Sequence, residues 1–267
     1  MPAKPKLVIC DVDGTLIDPT QRITPYFDEL ASLLQQHNVR FTLASGRSTA
    51  QLQCYLDKLS ITEPVLINNG AGARQQGRVL WDERFSALCV KRAILKANEM
   101  DMAIFMCEGD DELIYRHNAY IQHEIDTFQR YNHFYIPLER EWPQLEFEKV
   151  MITDPKKPGA VDAILPALQP FDAQLNVYRY DDRHLDIVKK GVSKGAAIRR
   201  LAALLGIKTD EIMAIGDSLN DMEMFQTVGL GVAVGNAKPE LKAYADDCCA
   251  ASYTAGVIEA VRKYCTE

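Results

Sequence analysis

The sequence has no long hydrophobic run. None of its apolar stretches approaches the roughly 18 residues that a membrane-spanning helix requires. The N-terminal segment MPAKPKLVIC carries only four consecutive apolar residues before Asp11, too few for the core of a secretory signal peptide. These absences predict a cytoplasmic protein without a membrane partner.

Excess positive charge is missing as well. The 267 residues include 30 Lys and Arg against 37 Asp and Glu, a net charge of −7, and such a chain is poorly suited to binding nucleic acid. The seven cysteines form no CxxC pair, so the sequence predicts neither a zinc knuckle nor a redox motif. An anionic substrate would need a local cation, from Lys, Arg or a metal ion, in order to bind.

Short apolar runs alternate with helical patterns at both ends of the chain. Residues 6–10, 40–45 and 64–68 predict buried strands with helices between them. The alternation resumes with a helix that Ser193 caps and Gly206 ends. This order of elements is typical of an α/β fold with a doubly wound parallel sheet.

The middle of the chain interrupts this alternation. Residues 83–188 are rich in aromatic side chains and mix strand-like with helical segments, which predicts an inserted α+β domain. The predicted organisation is therefore one core domain, made of residues 1–82 and 189–267, with the insertion between its two halves.

Polar side chains follow four of the predicted core strands. Ligands of open parallel sheets bind outside the carboxyl ends of the strands, so these polar clusters predict a functional site. The clusters are Asp11 with Asp13, Ser45 with Gly46 and Arg47, Asn68 with Asn69, and Asp217 with Asn220 and Asp221.

The first cluster suits the displacement of a leaving group from an electrophilic centre. In extended backbone, Asp11 and Asp13 project to one side about 6.6 Å apart, so one carboxylate can reach an electrophile and the other its leaving group. Carboxylates crowded together raise one another's pKa unless a divalent cation lies among them, and hard oxygen ligands favour Mg²⁺. Lys194 and Ser45 can supply the positive charge and the hydrogen bond that a phosphoryl group needs.

Four motifs, in order, resemble those of the haloacid-dehalogenase-like (HAD) phosphatase superfamily. They are DVDGT (11–15), SGR (45–47), Lys194 and GDSLND (216–221). The insertion resembles the class IIB cap of the Cof-type subfamily, and INNGA (67–71) and VAVGNAKPELKAYAD (232–246) are similar to Cof-type stretches. The resemblance spans essentially the whole chain. It implies a Rossmann-like HAD core and a cap, residues 83–188, that sets substrate specificity.

The resemblance implies a role for each acidic motif residue. Asp11 would attack phosphorus and become an aspartyl phosphate, while Asp13 would protonate the leaving oxygen and then activate water. The Asp11 side chain, the Asp13 backbone carbonyl and Asp217 would bind Mg²⁺, with Asp221 bound directly or through water.

The remaining motif residues would hold the phosphoryl group. Ser45 and Lys194 would contact it, Asn220 would assist, and Gly46 and Arg47 belong to the same phosphate-binding loop. Two roles stay open for Arg47, a contact with substrate phosphate or a salt bridge that braces the cap. Near the C-terminus, Ala255 stands where the family commonly has an acidic residue before Gly-Val, which leaves the chemistry untouched but weakens any finer subgroup assignment.

The predicted function is a Mg²⁺-dependent phosphatase for small phosphorylated metabolites, either sugar phosphates or phosphorylated cofactors. One alternative is a phosphotransferase or phosphomutase of the same superfamily, and another is a phospho-aspartate signalling module, in which Asp13 would have no task. GDSL (216–219) also matches a serine-esterase signature, but that chemistry needs a downstream histidine and the last one, His184, lies upstream. The substrate and the oligomeric state stay open.

Overall fold

The computed structural model describes residues 4–128, 133–179 and 182–266. The strands are β1 Leu7–Cys10, β2 Phe41–Leu43, β3 Val65–Ile67, β4 Gly72–Gln75, β5 Arg78–Asp82, β6 Phe85–Ser86, β7 Ala103–Glu108, β8 Asp111–Ile114, β9 Glu146–Phe147, β10 Lys149–Thr153, β11 Leu175–Arg179, β12 His184–Lys189, β13 Ile212–Gly216, β14 Leu230–Ala233 and β15 Asp247–Cys248. The helices are α1 Tyr26–Gln36, α2 Thr49–Lys58, α3 Lys91–Glu99, α4 Ala119–Phe128, α5 Leu165–Leu168, α6 Lys194–Leu205, α7 Met222–Phe225, α8 Pro239–Lys242 and α9 Tyr253–Cys265. In these ranges, no helix has both the length and the apolar character needed to cross a membrane.

The chain divides into two compact units. The first consists of Met1–Leu80 and Ser193–Glu267, and the second is Trp81–Val192. The second unit therefore begins two residues before the predicted insertion, 83–188, and ends four residues after it.

A parallel sheet forms the centre of the first unit, with strand order β15-β14-β13-β1-β2. Every residue of β1 (LVIC) is fully buried, as expected for a central strand covered on both faces. Parallel pairing sets Cys10 opposite Ile215 of β13 and Leu43 of β2. The carboxyl ends of these three strands are thereby aligned at one edge of the sheet.

The third predicted strand, β3, contacts the five-stranded sheet through a single parallel bridge between Leu66 and Ala44. Strand β3 pairs antiparallel with β4, and β5 completes a separate three-stranded sheet. The β4–β5 hairpin was not predicted. Its turn residues Gln76 and Gly77 both have positive φ angles, as in a type I′ turn, where Asn-Gly is the usual signal and glutamine is uncommon.

The second unit contains an antiparallel sheet with strand order β11-β12-β10-β7-β8. One face packs with α3 into an apolar core that includes Ile94, Ile104, Val150 and Ile187. On the other face, Phe105 and Ile121 of α4 belong to a smaller cluster. Strand β8 was not predicted because it is short, begins with two acids and lies at the sheet edge, where charged residues are common.

Candidate active site

Two acids emerge side by side from the central strands of the first unit. Asp11 follows β1 and Asp217 follows β13, and these strands are parallel neighbours. The Asp11 N–H continues the pairing by donating to the Ile215 carbonyl over 2.9 Å. The parallel register therefore places residues that are 206 positions apart in the sequence at the same edge.

Lys194 inserts a buried ammonium between two carboxylates. Its Nζ donates to Asp11 Oδ1 over 2.5 Å and to Asp221 Oδ1 over 2.7 Å. The lysine is the first residue of α6, which begins at the Ser193 cap, where the hydroxyl accepts the Ala196 N–H. All three charged side chains are at most 5% exposed. A buried arrangement of this kind is stable only when the charges compensate one another.

The second oxygen of Asp221 organises the loop after β13. Its Oδ2 accepts the N–H groups of Asp217, over 3.0 Å, and Ser218, over 3.2 Å. Gly216 permits this close approach, since a Cβ there would lie 2.7 Å from the Asp221 Cβ. Asp221 thus holds Lys194 with one oxygen and the Asp217 backbone with the other.

Two acidic residues of the site, Asp11 and Asp217, have raised pKa values. Burial, and then repulsion from Asp221, raises the pKa of Asp11 well above its ordinary value, although Lys194 opposes the shift. The same two causes raise the pKa of Asp217 to about 6. Burial alone would lower the pKa of Lys194, but the charges and hydrogen bonds of Asp11 and Asp221 raise it well above its ordinary value. The lysine is therefore charged at neutral pH.

The same acids form a donor set suited to a divalent cation. Asp11, Asp217 and Asp221 each offer a carboxylate oxygen, and these three atoms lie within 4.8 Å of one another. Hard oxygen donors of this kind suit Mg²⁺ and similar cations. Three carboxylates and one ammonium leave two negative charges in excess, which a divalent cation would neutralise. The residues present therefore fit a divalent metal.

The loop after Asp13 is fixed against Asp217. Thr15 Oγ1 donates to Asp217 Oδ1 over 3.0 Å. Gly14 has a φ of +88°, and a Cβ at this position would collide with the Asp217 carboxylate, so the contact requires glycine. Asn236 Nδ2 donates to the Gly14 carbonyl over 2.7 Å.

The SGR loop is braced by its own hydroxyl and by the asparagine pair. Ser45 Oγ accepts the Arg47 N–H over 3.1 Å. The Asn68 N–H donates to the Arg47 carbonyl and the Asn69 N–H to the Ser45 carbonyl. Both asparagines are buried and have positive φ angles, 49° and 58°. A Cβ on Gly46 would lie 3.1 Å from Asn69 Oδ1.

Three predicted site residues, Asp13, Arg47 and Asn220, have partners outside the cluster of Asp11, Lys194, Asp217 and Asp221. The guanidinium of Arg47 forms a bidentate ion pair with the Asp13 carboxylate. Asn220 accepts a hydrogen bond from the Ser218 hydroxyl through its amide oxygen. The structure therefore brings together the side chains of Asp11, Lys194, Asp217 and Asp221, and pairs Asp13 separately with Arg47.

Three residues that hydrogen-bond to the site residues or to the loop after Asp13 are not among the predicted site residues. Thr15 lies inside the DVDGT motif, and Asn236 lies inside the VAVGNAKPELKAYAD stretch, so both had a local signal. Gln21, which contacts Arg47, lies outside every motif, and tertiary structure alone reveals it.

Known proteins resemble this chain in sequence and in fold. The family model described as haloacid dehalogenase-like hydrolase matches residues 8–261. Phosphoglycolate phosphatase of Methanoculleus marisnigri is 28% identical over 97% of this chain and 96% of its own length. HMP-PP phosphatase of Serratia proteamaculans is 27% identical over 89% of this chain and 86% of its own length. The solved structure of the HAD subclass IIB sugar phosphatase BT4131 superimposes with a TM-score of 0.81 at 23% identity, covering 97% of this chain and 98% of that one.

The first unit has a parallel α/β core, and the second is an α+β unit inserted into it, so the predicted fold class is confirmed. This fold and the cluster of Asp11, Lys194, Asp217 and Asp221 are those of a HAD-like enzyme. The chain belongs to the haloacid dehalogenase-like hydrolases. Its predicted assignment as a phosphoric monoester hydrolase is likewise confirmed at the level of this enzyme class.

Proposed function

We propose that this chain is a Mg²⁺-dependent phosphatase that hydrolyses small phosphorylated metabolites through an aspartyl phosphate on Asp11. The observation that carries the proposal is the buried Lys194 ammonium, bonded to both Asp11 and Asp221 beside Asp217. The lysine holds the nucleophile and leaves a positive charge where a phosphoryl group would bind.

In the first step, an Asp11 carboxylate oxygen attacks phosphorus. The bond between phosphorus and the ester oxygen breaks, the leaving oxygen keeps the electron pair, and it takes a proton from Asp13. The products are the free alcohol and the phosphorylated Asp11.

In the second step, water attacks the phosphorus of the aspartyl phosphate and gives its proton to Asp13. The bond from Asp11 to phosphorus breaks, its electron pair returns to the carboxylate, and inorganic phosphate leaves. Both catalytic residues are thereby restored. Asp13 suits this exchange with substrate and water because its side chain is 52% exposed.

The charged neighbours stabilise the transferring group. Lys194 and Ser45 would hold the phosphoryl oxygens. Asp11, Asp217 and Asp221 would hold Mg²⁺, and the family resemblance implies the Asp13 backbone carbonyl as a further ligand. When bound, the ion supplies the positive charge that offsets both the carboxylates and the phosphate.

The substrate class follows from the relatives. Phosphoglycolate phosphatase, HMP-PP phosphatase and a sugar phosphatase all act on small phosphorylated compounds, as their names state. We extend this class to the present chain and assign substrate selection to the inserted unit, Trp81–Val192.

A panel of sugar phosphates and phosphorylated cofactors, assayed for phosphate release with Mg²⁺ and with EDTA, tests the proposal. Release should require Mg²⁺ and should be lost in Asp11→Asn. Asp57→Asn, which removes an exposed carboxylate on α2, is the matched control and should keep full activity. Activity that persists in EDTA or in Asp11→Asn would contradict the mechanism. Product analysis with an added sugar acceptor separates hydrolysis from phosphotransfer.

A further inference from the structure

Arg47 forms a bidentate ion pair with Asp13, the proposed acid–base residue. Its Nε donates to Asp13 Oδ2 over 2.8 Å, and its Nη2 donates to Asp13 Oδ1 over 2.5 Å. The same Nη2 donates to Gln21 Oε1 over 2.8 Å. A two-point pairing of this kind fixes the plane of a carboxylate, which a single hydrogen bond does not.

The arginine is the fixed partner of this pair. Its side chain is 9% exposed, whereas that of Asp13 is 52% exposed. Ser45 Oγ and the Asn68 N–H hold the Arg47 backbone from two sides. The guanidinium carbon lies 5.9 Å from the centre of the Tyr55 ring, within range of a cation–π contact.

Tyr55 and Gln21 complete this support. Tyr55 is 1% exposed, and its hydroxyl donates to the Gln21 carbonyl over 3.0 Å. Gln21 itself has a φ of +56°, in the left-handed region that glutamine rarely adopts. The loop that follows Asp13 is therefore tied back to α2 and to the arginine.

We propose that Arg47 is a positioning residue that sets the rotamer of the Asp13 carboxylate for proton transfer, and that Gln21 and Tyr55 hold the arginine in place. This inference rests on the proposed function. Each Asp13 oxygen keeps a lone pair free of the guanidinium. One of these lone pairs can carry the proton that Asp13 gives to the leaving oxygen and takes back from water. A displacement of about 1 Å in a reacting group can lower the rate about 10²-fold.

The experiment compares two phosphate esters. An alkyl phosphate needs a proton on its leaving oxygen, whereas an aryl phosphate with a weakly basic leaving group does not. Arg47→Met should lower kcat/KM for the alkyl ester about 10²-fold and for the aryl ester less than about 10-fold, the same selectivity as Asp13→Asn. The double variant should lose little more than Asp13→Asn alone, because both changes remove one function.

Two further variants keep the test decisive. Arg47→Lys retains the charge but cannot span both oxygens, so it should show the same selectivity with a loss of about 10-fold. It serves in place of Arg47→Met should the methionine variant not fold. Arg40→Met is the matched control, since Arg40 forms a similar bidentate pair with Glu63 over 2.6 and 2.9 Å. It should leave both esters unaffected.

The outcomes separate the two proposals. The positioning role of Arg47 would be overturned by equal losses of kcat/KM on both esters, by a change confined to KM, or by a double variant whose loss is the product of the two single losses. Phosphate release by the wild-type protein would still support the phosphatase in each of these cases. A wild-type protein that releases phosphate from neither ester overturns the proposed function and this inference with it.

Discussion

The raised pKa of Asp217 predicts that this residue stabilises the metal-free protein at low pH and that its contribution is lost as the pH rises. Its pKa is about 6 in the folded protein against an ordinary value of 3.8, because burial and Asp221 disfavour the ionised form. The folded state therefore binds this proton more tightly than the unfolded state does. The resulting stabilisation is fully present below pH 3.8 and is lost as the pH rises through 6.

The size of this effect follows from the same two values. A shift of one pKa unit corresponds to about 1.4 kcal/mol, so the full contribution is about 3 kcal/mol. About 1.4 kcal/mol of it remains at pH 5, and almost none remains at pH 7.5. For a unit of this size, that difference should move the midpoint of thermal unfolding by about 3–5 °C.

The assay is thermal unfolding in EDTA of the wild type and of Asp217→Asn, which lacks the titrating group. The stability of the wild type relative to the variant should fall by about 1.4 kcal/mol between pH 5 and pH 7.5. Adding Mg²⁺ should stabilise the wild type more at pH 7.5 than at pH 5, since protons compete with the cation for the carboxylates. A difference between the two proteins that stays constant, or rises with pH, would refute the reasoning.

Two further substitutions test the buried lysine and the first residue of α9, which has a positive φ angle. Lys194→Met should reduce kcat/KM for phosphate release at least 10²-fold. It should also lower the free energy of unfolding in EDTA by about 3–5 kcal/mol, because Asp11 and Asp221 lose their counter-charge. A urea unfolding experiment that finds unchanged stability would contradict this prediction. Tyr253→Asn should stabilise the protein by about 1 kcal/mol, because residue 253 has a φ of 54°, which asparagine adopts more readily than tyrosine. If the midpoint of thermal unfolding does not rise, tyrosine is not strained at this position.

The position of the acidic cluster could be predicted because parallel strands obey simple rules. Asp11 and Asp217 each follow a short, wholly buried strand, and such strands deliver their carboxyl ends to one edge of a sheet. Lys194 lies 183 positions from Asp11, and only the order of the motifs linked the two. The catalytic roles of these residues stay predictions until they are tested.

The pairing of Asp13 with Arg47 could not be predicted from the sequence. Both residues lie in motifs, but a charged side chain at a strand end can turn toward any of several partners, and 34 positions separate these two. Gln21 is harder still, since its contact depends on a loop whose backbone takes an uncommon conformation. Turn geometry and long-range polar contacts, rather than hydrophobic periodicity, decide these features.

Phosphorylation of Asp11 is the step on which the proposed mechanism depends. The most direct measurement uses Asp13→Asn, mixed with Mg²⁺ and an aryl phosphate whose leaving group needs no proton, followed by acid quenching and peptide mass spectrometry. We expect one phosphoryl group on the peptide that contains Asp11, because this variant can form the aspartyl phosphate but cannot activate water efficiently. Adding Asp11→Asn to the same protein should abolish the label. A phosphoryl group on another residue, or one that persists after Asp11→Asn, would contradict the account.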